Sequence, residues 1–311
     1  MGLEGIKLFG RLTTDVGVPG RAKEGGMLMD YVRISKLRII FLLDFVAISA
    51  LIVAGGLSLP LSVILGLLVA GTLSSAGASA INCYLDRDID SIMSRTKGRP
   101  IPLGRLSPGS ALTYGIVMLA LALTISFLTL NLVATSMILL GAFFYVAIYT
   151  VWLKRRTTWN IVIGGFAGSA AAFAGWAAAT GTVGLQAILM GGLIFLWTPS
   201  HFWSLAVLNN KDYESAGVPM LPAVVGENKA VKFIGLNTLM LLPFSFLFIV
   251  LGFHGLIYAL VASTAGALLL VTNIRMLMNV NASTAWTAFK YSSPYLAFVF
   301  LGMILDTLII L

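Results

Sequence analysis

Nine long apolar runs decide what this chain can fold into. They lie at about 37–57, 60–85, 110–129, 132–152, 160–180, 185–208, 232–252, 255–275 and 290–311. A helix needs about 20 apolar residues to cross a bilayer, and the runs have roughly that length. Only 10% of the residues are charged, against roughly 25% in soluble domains, so a water-soluble globule is excluded. The sequence predicts an all-α, polytopic membrane protein with nine transmembrane helices, spans 1 to 9.

The basic residues indicate how these spans are oriented. All twenty Lys and Arg lie in the first 38 residues or in the loops after even-numbered spans, while the loops 129–136 and 180–186 carry no charge. Since basic loops stay on the cytoplasmic side, we predict a cytoplasmic N-terminus and an external C-terminus in the plasma membrane. The net charge of +8 is then explained by orientation, and nucleic acid is not expected as a partner.

The chain divides at about residue 30. Residues 1–30 contain four acids among glycines and no continuous apolar segment, unlike a signal peptide or a typical transit peptide. We predict a cytoplasmic tail over 1–30 and one membrane domain over 31–311. Within that domain, the glycines of span 5 are typical of closely packed membrane helices. The alternative is that they leave space for a large ligand.

Three oxygen-bearing side chains, Asn82, Asp86 and Asp90, mark the end of span 2. Their spacing of four places them along one side of a helix, in a stripe roughly 12 Å long. Two carboxylates so placed repel each other, and Mg²⁺ fits because it binds carboxylates and phosphates together. A solvated loop is the alternative, but it does not explain the aligned oxygens. The following loop adds four bases suited to diphosphate oxygens: Arg95, Lys97, Arg99 and Arg105.

A second polar cluster follows span 6. Its members are Asn209, Asn210, Lys211, Asp212, Tyr213 and Glu214. Asp212 follows span 6 as Asp86 follows span 2, four spans earlier, which indicates a weak internal duplication. Two such clusters facing one cavity would hold two Mg²⁺ ions on one diphosphate.

Three ionisable residues lie in or next to apolar segments. His201, beside Trp197 in span 6, is either a packing residue or a group that ligates iron or takes a proton. His254 lies in an uncharged outer loop, and we predict that it is solvated. Asp44 in span 1 requires a partner that the sequence does not identify.

These motifs resemble those of the UbiA superfamily of intramembrane prenyltransferases, over about residues 31–306. Asn82-x-x-x-Asp86-x-x-x-Asp90 is similar to the superfamily's first aspartate-rich motif. The segments 149–157, 160–165, 175–178, 197–203 and 211–222 resemble the branch of the superfamily that modifies heme.

Two departures from the family pattern stand out. Ala216 stands where the second acid of the usual second motif would be. Leu37 replaces the usual proline after Lys36, and this replacement affects only how the helix of span 1 starts. Three residues are candidates to substitute for the missing acid: Asn209, Asn210 and Glu214.

The resemblance implies a nine-helix UbiA-like bundle. Such a bundle moves a farnesyl group from farnesyl diphosphate to the vinyl group of heme b, with Mg²⁺ as cofactor, producing heme o and diphosphate. Catalysis and metal binding would fall to Asn82, Asp86, Asp90 and Asp212. The diphosphate would be bound by Arg95, Lys97, Arg99, Lys154, Arg155 and Lys211. The heme acceptor would be bound by His201, Trp197 and Trp203.

Three tyrosines are further candidates for the site. Tyr84, Tyr145 and Tyr149 would stabilise the allylic cation with their rings. A membrane-interface aromatic belt explains them about as well. The partners implied besides the lipid bilayer are proteins of the heme pathway or of terminal-oxidase assembly.

Other functions remain as alternatives. The acceptor would otherwise be a quinone precursor, another tetrapyrrole or a lipid, although the segment 197–203 favours heme. A transporter is suggested by the duplication and by the membrane-embedded Asp44 and His201, but its site would lie at the midplane rather than at the cytoplasmic face. A non-catalytic scaffold would not need the stripe.

Overall fold

The computed structural model describes residues 26–310. In that range nine helices are long and apolar enough to cross a membrane, and no β-strand is found. Spans 1 to 9 are Leu37–Gly55, Leu61–Leu85, Pro108–Thr129, Leu132–Leu153, Asn160–Thr180, Leu185–Leu208, Glu227–Val250, Leu256–Met278 and Ala282–Ile310. The predicted all-α, nine-span architecture is confirmed.

Two spans begin earlier than predicted. Span 7 begins after Gly226, whose φ of +83° ends the preceding short helix. Span 9 begins after Asn281, whose side chain accepts a hydrogen bond from the backbone N–H of Thr284 at 3.0 Å. Helix caps decide where a helix starts, so the polar first turns of both helices extend beyond the apolar runs.

Short helices lie between the spans on the basic side of the protein. They are Met27–Ser35, Arg87–Ile92, Asn210–Ser215 and Leu221–Val225. The first of them runs across the boundary expected at residue 30, and Asp30 is held there by Arg33 at 3.2 Å and Arg105 at 2.8 Å. The remainder of the predicted tail lies outside the described residues.

Span 4 changes its helical geometry halfway. It is α-helical over Leu132–Phe143 and π-helical over Phe144–Leu153, with the backbone N–H of Lys154 bonded to the Tyr149 carbonyl at 2.8 Å. In an α-helix Lys154 would lie roughly 180° from Tyr145, nine residues earlier. A π-helix turns roughly 80° per residue and brings the two to the same side. Such segments are rare and are frequent at functional sites.

Span 5 packs closely against its neighbours through glycines. A Cβ atom on Gly175 would lie 1.9 Å from the backbone oxygen of Ala47 in span 1. A Cβ atom on Gly164 would lie 2.7 Å from the ring of Tyr149 in span 4. At these two positions the structure shows the close packing that we predicted, and neighbouring chain occupies the space that a ligand would need.

His254 is buried at the end of the bundle opposite the basic loops, so the prediction that it is solvated is wrong. Its Nε2 lies 3.1 Å from Gln186 Nε2, and its Nδ1 lies 3.5 Å from Asp306 Oδ2. Asp306 in turn accepts hydrogen bonds from the backbone N–H groups of Gly255 and Tyr258. The start of span 8 supplies these donors, which make a buried carboxylate tolerable and draw the histidine inward.

Candidate active site

Asp86 lies at the junction between span 2 and the short helix Arg87–Ile92. Its backbone N–H bonds to the Asn82 carbonyl at 2.9 Å, and the N–H of Asp90 bonds to the Asp86 carbonyl at 2.8 Å. The spacing of one helical turn therefore continues through the junction. Asn82, Asp86 and Asp90 are all buried, and we call them the oxygen stripe.

Each member of the oxygen stripe receives a hydrogen bond from a different basic side chain. The donor and acceptor pairs are Lys36 to Asn82, Lys154 to Asp86, and Arg99 to Asp90. Buried carboxylates are stable only when such partners compensate for lost hydration. Three separate parts of the chain thus balance the repulsion along the stripe.

One buried oxygen of the stripe has no hydrogen-bond partner, and we call it open because it can still accept a ligand. Asp86 Oδ2 accepts hydrogen bonds from Asn82 Nδ2 at 2.7 Å and from Lys154. Asp86 Oδ1 is buried without a hydrogen-bond partner, and Arg155 Nη2 lies 3.8 Å from it. An open carboxylate oxygen fits Mg²⁺. Within residues 26–310 no three acidic, His or Cys side chains are grouped closely enough to hold a metal, so substrate phosphate and water would supply the other ligands.

Asp212 contacts the loop that follows the oxygen stripe. It accepts hydrogen bonds from the Ser94 hydroxyl and, at 3.1 Å, from the backbone N–H of Arg95. Burial raises the pKa of Asp212, but these hydrogen bonds outweigh it, and the pKa lies below its usual value. Nearby in the chain, Asn210 donates to Glu214 while its own Oδ1 is buried without a partner. A second open oxygen therefore lies in the cluster after span 6.

The bases predicted to bind diphosphate fall into two groups. Arg99 and Lys154 contact the stripe, while Arg155 binds Asp88 through two hydrogen bonds of 2.6 and 2.7 Å. These bonds lower the pKa of Asp88 to about 2. The second group is exposed, and its side chains make no ion pair with any described residue: Arg95, Lys97 and Lys211.

Two of the three predicted tyrosines lie at the stripe. The rings of Tyr145 and Tyr149 are stacked, 5.8 Å apart and inclined by 11°. The hydroxyl of Tyr145 accepts a hydrogen bond from Lys36 at 3.1 Å. Tyr84 lies elsewhere, since its ring packs under the guanidinium of Arg87 at 4.6 Å.

His201 lies in an aromatic stack deeper in the bundle. Its ring centroid is 4.3 Å from that of Trp197 and 4.5 Å from that of Phe289 in span 9. Its Nδ1 lies 2.5 Å from the Ser292 hydroxyl. Its Nε2 makes no hydrogen bond within the described part of the chain. One ring nitrogen is thus anchored to span 9 and the other stays available.

Trp203 is separated from this aromatic stack. It belongs to an apolar cluster with Ile89 and Met93, which follow span 2, and its Nε1 is buried without a partner. Residues two apart on a helix do not share a face. The structure therefore places His201 and Trp197 together and Trp203 on another side of span 6.

Two polar residues at the stripe were not predicted. The sequence points to Lys36 only through the proline missing after it, and to Thr150 only as a member of the segment 149–157. The Thr150 hydroxyl accepts a hydrogen bond from Asn82 Nδ2 at 3.0 Å. The positions of both depend on unusual backbone, a φ of +59° at Lys36 and the π-helix around Thr150, which a pattern of residue types does not reveal.

Asp44, for which the sequence identified no partner, accepts a hydrogen bond from the Thr72 hydroxyl of span 2 at 2.6 Å. A hydroxyl donor of this kind lowers the cost of a carboxyl group within a membrane span. The contact joins spans 1 and 2 below the oxygen stripe.

Sequence comparison relates the whole membrane region to known proteins. The profile described as the UbiA prenyltransferase family matches residues 43–301. Protoheme IX farnesyltransferase 1 of Cenarchaeum symbiosum is 45% identical over 282 residues, covering 89% of this chain and 95% of the relative. The protoheme IX farnesyltransferase of Metallosphaera sedula is 44% identical over 282 residues, covering 91% of this chain and 97% of the relative.

Solved structures share the fold. A structure of a digeranylgeranylglyceryl phosphate synthase superposes with a TM-score of 0.74 at 19% identity, covering 90% of this chain and 98% of the other. A UbiA homolog from Aeropyrum pernix K1 gives 0.69 at 20% identity, covering 87% and 98%. A UbiA homolog from Archaeoglobus fulgidus, solved with GPP and Mg²⁺, gives 0.64 at 18% identity, covering 88% and 99%.

Proposed function

The chain belongs to the UbiA prenyltransferase family, and we propose that it transfers a farnesyl group from farnesyl diphosphate to the vinyl group of heme b. Farnesyl bonds to one vinyl carbon as its bond to diphosphate breaks, and water supplies the hydroxyl at the other vinyl carbon and releases a proton. The products are heme o and diphosphate. The observation that carries this proposal is similarity over nearly the full length, at 44–45% identity, to two relatives named as protoheme IX farnesyltransferases. The arrangement at the ends of spans 2, 4 and 6 supports it.

Breaking the bond between farnesyl and diphosphate separates an allylic cation from an anion. The site must therefore neutralise the leaving group and exclude water from the cation. Lys154 and Arg99 supply partly buried positive charge beside the oxygen stripe. The exposed bases Arg95, Lys97 and Lys211 would meet the diphosphate first, with Arg155 at the rim, and guide it inward.

The residues present fit a divalent cation. Mg²⁺ bound here would add positive charge to the departing diphosphate. Asp86 would hold it through Oδ1. Asp90 and Asp212 would reach the ion through water or through the diphosphate, since the three carboxylates are not grouped closely enough in the described part of the chain to hold one ion together. Asn82 Oδ1 accepts a hydrogen bond from Lys36 and keeps a second lone pair with which it would contact the ion or its water. A UbiA homolog from Archaeoglobus fulgidus was solved with GPP and Mg²⁺, which supports Mg²⁺ as the choice of metal.

The acceptor end is aromatic. Trp197, His201 and Phe289 form a flat apolar stack, and His201 Nε2 is available to heme iron or to a proton. The stacked rings of Tyr145 and Tyr149 lie between the stripe and the apolar interior, where π-faces would stabilise the cation. The protein groups thus separate a charged donor end from an apolar acceptor end.

The number of spans and the basic loops between them indicate where the protein lies in the cell. We infer that the protein lies in the plasma membrane with its N-terminus in the cytoplasm and its C-terminus outside, because all basic loops then share the cytoplasmic side. The oxygen stripe opens to that side. Proteins of the heme pathway or of terminal-oxidase assembly are the partners that would deliver heme b or collect the product.

The test is direct. Purified protein in detergent is incubated with Mg²⁺, heme b and isotopically labelled farnesyl diphosphate, and the heme fraction is analysed by mass spectrometry. We expect label in a hydroxyethylfarnesyl heme and none when EDTA replaces Mg²⁺. Label that appears only in another acceptor, or in none, contradicts the proposal.

A further inference from the structure

Lys36 is the charged residue at the oxygen stripe to which the proposed reaction assigns no role. It lies between the helix Met27–Ser35 and span 1, and among the described residues it is the one non-glycine residue with positive φ, at +59°. Non-glycine residues rarely adopt this conformation, and they are concentrated at functional sites. The conformation directs the side chain to Asn82, where Nζ lies 2.6 Å from Oδ1.

The contact determines which way the Asn82 amide faces. An ammonium group can only donate, so the atom facing Lys36 must be the amide oxygen. The amide nitrogen is then turned to the opposite side, where it donates to Asp86 Oδ2 at 2.7 Å and to Thr150 Oγ1 at 3.0 Å. Thr150 uses its own hydrogen to donate to the Tyr145 carbonyl, so its oxygen is free to accept.

The amide in turn orients the Asp86 carboxylate. Asn82 and Lys154 both donate to Oδ2, which leaves Oδ1 buried without a hydrogen bond. If the amide were released and rotated, its oxygen would face the carboxylate and repel it. The open oxygen therefore depends on Lys36, two hydrogen bonds away.

We propose that Lys36 is a positioning residue: through the Asn82 amide it holds the Asp86 carboxylate with Oδ1 open to Mg²⁺. This inference rests on the proposed function, because it assumes a metal and a prenyl diphosphate at the stripe. Groups that orient metal ligands typically change metal affinity by roughly 10- to 100-fold when they are removed.

The experiment measures Mg²⁺ binding without turnover. Titrations of Mg²⁺ into the full-length protein, saturated with a non-reacting farnesyl thiodiphosphate, are followed by tryptophan fluorescence. For K36M we expect the half-saturating Mg²⁺ concentration to rise roughly 10-fold, and for K36R a smaller rise. R156M, which removes an exposed charge on the same side of the protein, is the control and should match wild type. An unchanged Mg²⁺ titration in K36M overturns the proposal.

A double-mutant cycle separates positioning from direct contact with the diphosphate. If Lys36 acts through Asn82, adding K36M to N82A changes the Mg²⁺ titration little, because N82A has already removed the amide that links Lys36 to Asp86. An equal effect of K36M in wild type and in N82A means that Lys36 binds the diphosphate itself, and the proposal is wrong. K36Q replaces K36M if the latter does not fold. Wild-type turnover with heme b tests the proposed function separately, since these titrations contain no acceptor.

Discussion

Lys154 at the end of span 4 donates a hydrogen bond to Asp86 at the end of span 2, across 68 residues of sequence. The π-helix makes this contact, because an α-helix of the same length would turn Lys154 away from the side that carries Tyr145. The pair joins a base proposed to bind the diphosphate to the carboxylate whose Oδ1 has no hydrogen-bond partner. Substitutions at Asp86 should therefore affect chemistry more than folding.

We predict that D86N lowers turnover by roughly 100-fold or more, since charge complementary to a transition state contributes on that scale. Asparagine keeps the shape of the side chain and an oxygen for Lys154, so the melting temperature in detergent should stay close to that of wild type. The measurement is the initial rate of farnesyl transfer at saturating Mg²⁺. Near-normal turnover by folded D86N would falsify the metal-binding role.

D88N is the matched control two residues away. The Asp88 side chain is 60% exposed and pairs with Arg155 at the surface. Exposed ion pairs contribute little, about 0–1 kcal/mol, so turnover should stay within a few-fold of wild type. A loss as large as that of D86N would mean that Arg155, released from Asp88, is the sensitive group.

His201 should serve the heme acceptor rather than the diphosphate. We expect H201A to weaken heme binding or transfer while the binding of farnesyl diphosphate survives, because His201 lies about two helical turns inside span 6, whereas the bases that would bind the diphosphate lie beyond the ends of the spans. S292A removes the partner of Nδ1 and keeps the imidazole, so it tests whether anchoring alone matters. Heme affinity, heme spectrum and turnover are measured for both variants. If H201A changes only the melting temperature, His201 is a packing residue.

His254 should make the protein less stable in mild acid. Burial lowers its pKa, and the opposite effect of Asp306 does not restore it. The folded state then binds fewer protons than the unfolded state, so the free energy of unfolding falls as pH drops below the usual histidine pKa of about 6.5. Melting temperatures at pH of about 7.5 and 5.5 should differ more for wild type than for H254Q. Equal differences would assign the acid sensitivity to another group.

The sequence predicts well what depends on composition and spacing. Span 6 has the predicted bounds, because a long apolar run between a glycine-containing turn and a charged loop leaves few choices. The four-residue spacing of Asn82, Asp86 and Asp90 survives even though the chain turns at Asp86, because the backbone hydrogen bonds continue through the junction.

Features that depend on backbone geometry or distant contacts were not predicted. No residue pattern distinguishes a π-helix from an α-helix, so the contact between Lys154 and Asp86 could not be predicted from the sequence. The burial of His254 depends on Asp306, about fifty residues later, and no local pattern links the two. Lys36 reaches Asn82 because its own backbone is left-handed, and the residue type alone does not indicate this conformation.

The orientation in the membrane is open to a fusion experiment. Basic loops on one side of nine spans predict a cytoplasmic N-terminus and an external C-terminus. A reporter that is active only outside the cytoplasm should work when fused after Leu311, and the same reporter fused before Met1 should not. The reverse result would overturn the orientation, and activity at both ends would overturn the odd number of spans.

Gly175 should tolerate no side chain. A Cβ atom there would lie 1.9 Å from the backbone oxygen of Ala47, and backbone cannot rotate away as a side chain can. Overpacking of this kind typically costs about 1–3 kcal/mol, so G175A should unfold several degrees below wild type. G184A is the control, since its Cβ would lie 3.6 Å from Trp176, an ordinary contact, and its backbone is extended. Equal melting temperatures for G175A and wild type would mean that spans 1 and 5 are not packed as closely as the structure shows.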